Sequence, residues 1–165
     1  MKAADLSILF EDREVKGFSD NKVIRHDMKA RNAILALQEK MEAMDTNGDS
    51  LDPFPVTHHF APGTYAREMF LPAGHAIIGK IHKHAHLNII SKGKVVVTTE
   101  AGTEELEAPH TFTSYAGTKR AVYILEDAVW TTIHPTEETD LDKIEEYVIA
   151  ESYDALALTF DAQGD

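Results

Sequence analysis

Hydrophobic positions along the chain change period twice. Up to about Asp49 one long helical pattern is predicted. Asp20 can cap it, and Ile34, Leu37, Met41 and Met44 recur at the spacing of one helix face. Lys22, Arg25, Lys29 and Arg31 gather in its first half and read as a solvated face. From about Val56 to Pro135 the period shortens to two. Short apolar runs follow one another: VTHHF, YAREMFL, AIIGKIH, HLNIIS, KVVVTTE, EELEA, TFTSY, RAVYIL and AVWTTIH. Turn signals separate them at Pro62-Gly63, Pro72-Ala73-Gly74, Lys92-Gly93, Ala101-Gly102, Ala116-Gly117 and Glu126-Asp127. Consecutive short strands without helices between them predict an antiparallel sandwich or closed barrel. After Pro135 the helical period returns, with a cap at Thr139 or Asp140 and Leu141, Ile144 and Val148 on one face. The division is therefore 1–52 helical extension, 53–136 β-barrel, and 137–165 C-terminal helix and tail.

Length and composition narrow the setting. The chain has 165 residues, which suits one domain with its own core. No apolar run approaches a membrane span, and the N-terminus lacks a signal peptide's long apolar stretch. There is no cysteine, so disulfides and thiolate ligands are excluded and a cytoplasmic location is expected. The net charge of −12 disfavours nucleic acid as a partner. A small molecule, a metal ion or another protein is expected instead. Asp45, Asn47 and Asp49 briefly imitate a calcium loop. Ser50 stands where that loop needs glycine and Val56 where it needs glutamate, so an EF-hand is rejected.

The chemistry concentrates in GKIHKHAHLNIISKG. His82, His84 and His86 are spaced by two, so in an extended strand all three imidazoles would share a face. Such a row suits a divalent metal. His82 and His86 form the better-placed pair, and His84 is the one expected nearer a rim. At the end of AVWTTIH, Trp130, Thr132 and His134 share one strand face, and His134 reads either as a further ligand or as a strand-end residue before Pro135. His110 is the next candidate, whereas His58, His59 and His75 read as surface residues. Arg67 and Arg120 are cations suited to a carboxylate or phosphate, and Tyr65 and Glu68 flank Arg67 as acid, base or orienting groups. The other catalytic templates fail: there is no Gly-x-Ser-x-Gly elbow, no phosphate loop and no dinucleotide glycine pattern. Lys83 follows His82 where a zinc protease needs glutamate.

From about Gly63 to His134 the strand array and the histidine row together resemble the cupin superfamily, the RmlC-like jelly rolls. The first cupin motif is matched by Gly74 and Gly79 ahead of His82-Lys83-His84 and by Gly93 at its close, with His86 standing where the family usually has its glutamate. The second motif resembles YAGTKRAVYI. Tyr115 takes the proline position and Gly117 the glycine, and Arg120 replaces the fourth metal ligand, a role arginine cannot fill. The block from Lys119 to Glu145 is also similar to small phage-encoded cupin-like proteins. The resemblance implies a single jelly-roll barrel flanked by two helices. It also implies a divalent transition metal held by His82, His84, His86 and His134, with zinc, iron, nickel and copper indistinguishable, or a metal-free barrel that has lost its ligands. Arg120, Arg67, Tyr65 and Trp130 would line a site for a small anionic ligand. A homo-oligomer is expected, and a host protein is the expected partner if the chain is phage-encoded.

Overall fold

The computed structural model describes residues 28–44 and 54–156. The expected cap at Asp20, with Lys22, Arg25 and the turn around Asn47, lies outside these residues. The fold is mainly β and antiparallel. Among the described residues helix α1 (Met28–Met44) comes first. Eight strands follow: β1 (Val56–Ala61), β2 (Thr64–Leu71), β3 (Ala76–Ile78), β4 (Ile81–His82), β5 (His86–Thr99), β6 (Gly102–Glu107), β7 (His110–Ser114) and β8 (Ala121–Pro135). Helix α2 (Leu141–Val148) leads into a short strand β9 (Ile149–Ala150).

The long strands β5 and β8 are the spine. The sheet order is β1-β2-β8-β5-β6, with β3 also on β8 and β7 also on β5. Each spine strand changes neighbours midway. β8 pairs with β3 in its first part and β2 in its second, and β5 pairs with β7 and then β6. The change occurs at a bend where the β5–β8 register slips between Ile90 and Val95. Two expected turns, Lys92-Gly93 and Glu126-Asp127, are in fact this bend, so four predicted strands merge into two. Gly93 permits it, with φ of 84° and a virtual Cβ that would stand 2.3 Å from the Asp127 carbonyl oxygen. The core fills the fold so made: Leu71, Ile90, Val95, Val97, Val122, Ile124 and Trp130 pack together from both halves.

Both helices cover the barrel. Ile34 of the predicted stripe is 1 % exposed, so it needs no second copy to cover it, and Ala30 is buried beside it. Arg31 locks α1 in place: its Nε donates to Glu100 at 2.6 Å, and its guanidinium lies 3.6 Å over the Tyr153 ring. Asp140 caps α2 by accepting from the Asp142 and Lys143 amides. Ile144 and Val148 pack on Tyr65, while Leu141 is exposed. The helix expected from Leu141, Ile144 and Val148 is present and ends at Val148, because Ile149 and Ala150 extend and pair with β4.

Candidate functional site: a histidine pocket with a buried arginine

The strand register stacks the interior in layers. His86, His134, Tyr65 and Ser114 come level at one end, since His86 faces Ser114, Leu87 faces Ile133, and Tyr65 faces His134. One layer deeper come Asn88, Thr132, Arg67 and Phe112. Below that lie Ile90, Trp130 and Met69, the start of the apolar core. Polarity therefore falls from this end toward the apolar core, and the histidines occupy the polar end.

His82 enters from β4. The row of three does not run along one strand, which corrects the expectation of a shared face. β4 ends at His82 and β5 begins at His86, so residues 83–85 form a bend. The bend brings His82 and His86 together, with ring centroids 4.1 Å apart, and turns His84 outwards to stack on exposed Tyr147 at 4.6 Å. His134 closes the group at 5.4 Å from His82 and 4.8 Å from His86. β9 holds His82 in this position through the His82–Ile149 pairing and the Lys83 amide, which donates to the Val148 carbonyl at 2.8 Å.

All three rings are held neutral. Burial pushes His82 down to about 2, with the charges of His86, His134, Arg120 and Arg67 adding to it. Burial likewise lowers His86 to about 4, against the pull of a hydrogen bond to the His84 carbonyl, and His134 to about 4. His86 Nδ1 lies 3.2 Å from that carbonyl oxygen. A carbonyl only accepts, so Nδ1 carries the proton and Nε2 the lone pair. His86 Nε2 is buried without a partner, as is His82 Nδ1.

Arg120 lies beside them, 7 % exposed. Its neighbours are neutral. Nη1 donates to Asn88 Oδ1 at 3.3 Å, Nη2 donates to Ser114 Oγ, and the Phe112 and Trp130 rings stand 5.9 and 5.5 Å away. Gly79 makes room for its stem, since a Cβ there would meet Arg120 Cγ at 3.0 Å. Burial alone lowers Arg120 to about 10, which leaves it cationic. Trp130 belongs to the core, and its indole N–H donates to Asn88 Oδ1 at 3.0 Å. Arg67 sits on the inner face of β2 and donates to the Met69 sulfur. The Tyr65 hydroxyl bonds His58 Nδ1 at 2.8 Å, and burial raises its pKa. Glu68 faces outwards beside His59, 3.8 Å away.

The donor chemistry fits a transition metal: three neutral imidazoles, two with buried unpartnered nitrogens, and the His86 N–H fixed on a carbonyl as ligating histidines require. As placed, the rings lie partly stacked. Among the described residues no three His, Asp or Glu side chains form a ready ligand set. A metal would therefore require the rings to turn on fixed backbones. Sequence reasoning missed Asn88 and Ser114. The signal for Asn88 was a lone amide two residues after His86 in the apolar run HLNII, and Ser114 carried none.

No family model and no curated relative matches the chain. Solved structures do. The ectoine synthase of P. lautus superposes with a TM-score of 0.50 at 10% identity, over 66% of this chain and 84% of its own. The fold is that of the cupin jelly rolls. An RmlC-like cupin with a double-stranded β-helix fold from Methanocaldococcus jannaschii gives 0.44 at 13% identity, covering 56% of this cupin-like chain and 88% of its own. A cupin superfamily protein from Desulfitobacterium hafniense gives 0.44 at 12%, covering 51% and 78%. Identities this low speak for fold alone. Among the described residues no helix is long and apolar enough to cross a membrane.

Proposed function

We propose that this cupin-like barrel binds a divalent transition metal through His82, His86 and His134, and a small anionic ligand beside it through Arg120. The observation that carries the metal is His86, whose Nδ1–H is committed to a carbonyl while its buried Nε2 lone pair has no partner next to two other neutral imidazoles. A bound ion would supply Lewis acidity toward an oxygen ligand. The chain's own residues do the rest. Arg120 supplies a fixed positive charge that attracts and orients an anion. Phe112 and Trp130 exclude water around it, and Tyr65 and Arg67 line the approach. His84, stacked on Tyr147, lies outside the ligand set. Zinc, iron, nickel and copper all suit three nitrogens, and the reaction is unassigned.

The test is metal content of untagged protein by mass spectrometry. Wild type should hold close to one equivalent. His82→Ala, His86→Ala and His134→Ala should each lose most of it while remaining folded, and His84→Ala and His59→Ala should not. Equal losses from all five would mean nonspecific binding. A second reading has its own support in the arginine at the family's fourth ligand position, since arginine cannot ligate a metal. On that reading the chain is a metal-free, non-enzymatic module, such as a phage-encoded accessory protein acting on a host factor. Metal-free wild type that folds normally would favour it. A cytoplasmic, self-associating protein is proposed on either reading.

A further inference from the structure

Hydrogen-bond accounting around Arg120 points to the kind of anion. Trp130 Nε1 and Arg120 Nη1 can only donate, and both reach the same atom of Asn88, which must therefore be the amide oxygen. The Asn88 nitrogen then donates to Ser114 Oγ at 2.8 Å and to the His86 carbonyl at 3.5 Å. Ser114 Oγ also receives Arg120 Nη2. It thus accepts twice, and among the described residues its own hydroxyl proton has no acceptor. Ser114 is 4 % exposed and Arg120 7 %. The cluster has one full positive charge, one surplus O–H donor and, among the described residues, no carboxylate.

We infer that the cluster is a built subsite for a small monocarboxylate, held by Ser114 and Arg120 together. This rests on the proposed anion-binding pocket and narrows its ligand. The two oxygens of one carboxylate match the surplus hydroxyl and the guanidinium's remaining N–H groups. A phosphate or sulfate dianion fits poorly. The flanks of the guanidinium face Phe112 and Trp130, so further oxygens would lie against apolar rings without donors. Ser114 is a positioning and binding residue.

The experiment is isothermal titration of the full chain, as purified, with acetate and glycolate against phosphate and sulfate at constant ionic strength. Wild type should bind the two carboxylates and prefer them to the dianions by at least about tenfold. Ser114→Ala, the loss of one hydroxyl, should weaken the carboxylates by roughly tenfold, the usual scale of one hydrogen bond to a charged group. Arg120→Met should abolish binding, and Arg120→Lys, which keeps the charge without the fork, should restore little. Metal content of Ser114→Ala should match wild type. Phosphate bound as well as acetate, or Ser114→Ala binding acetate like wild type, would overturn the inference. Neither result would touch the metal reading. Conversely, carboxylate binding by a metal-free protein would leave this inference standing while the metal reading failed.

Discussion

Acid should unfold this protein well above the pH at which carboxylates titrate, because His86 and His134 are buried neutral and half-buried His82 is held neutral beside them. The perturbation is a fall from pH 7.5 to 5. In the unfolded chain each imidazole has its ordinary value near 6.5 and gains a proton over that interval. In the fold, His82 stays neutral down to about 2, and His86 and His134 down to about 4. The folded values lie below the unfolded ones, so the unfolded state binds more protons and stability falls as pH drops through 6.5. At pH 5 each ring costs about 2 kcal/mol, and all three remain neutral in the fold, so the costs accumulate. Allowing for partial solvent access at the mouth, the loss is roughly 4–6 kcal/mol, against a total of about 5–15 for a domain of this size. The assay is urea unfolding at half-unit pH steps with a chelator present, so that metal release does not imitate the effect. The double variant His86→Gln/His134→Gln should lose about two-thirds of the pH dependence, with His84→Gln as a surface control. Identical unfolding midpoints at pH 5 and 7.5 would refute the reasoning, since they would mean that the rings accept protons without leaving the fold.

Three further outcomes are expected. Gly93→Ala should destabilise by roughly 2–4 kcal/mol, through left-handed strain and the collision with the Asp127 carbonyl, and a wild-type denaturant midpoint would show that the bend is not as described. Asp140→Ala removes the α2 cap and should cost about 1 kcal/mol in the same assay, with no change if solvent replaces the cap freely. Leu87 is 47 % exposed on the outer face of β5, where it lies beside Ile133 across the β5–β8 pair. If that face joins two copies, Leu87→Glu should shift sedimentation velocity from a dimer to a monomer, and a wild-type monomer at high concentration would end the proposal.

What could be read before the fold was known follows the range of each signal. Strand alternation is local, and it located β1, β2, β6 and β7 closely. Turn residues are local too, but Gly93 and Asp127 serve a contact between distant strands. A glycine that lets one chain cross another looks in sequence like a glycine that reverses direction. The histidines divide the same way. His82 and His86 were paired in the sequence reading, but the bend at 83–85 that joins them and expels His84 is held by β9, about sixty-five residues later. His134 reached the group only through the β5–β8 register. Ser114 and Asn88 matter through bonds to Arg120, a relationship that composition and spacing do not record.

The clasp between β4 and β9 also sets an order of events. The spine of β5 and β8 and the strands on it are complete by Pro135, whereas the partner of Ile81 is Ala150. During synthesis the barrel therefore has all its strands of the main sheet before the segment that fixes His82 leaves the ribosome, and N-terminal parts of a chain fold first. Assembly of the barrel and placement of His82 become separate steps. A barrel lacking its last few described residues should still be compact, but with only two of its three imidazoles in place. Hydrogen exchange that opens Ile81 and Ala150 before the spine would show the same order in reverse.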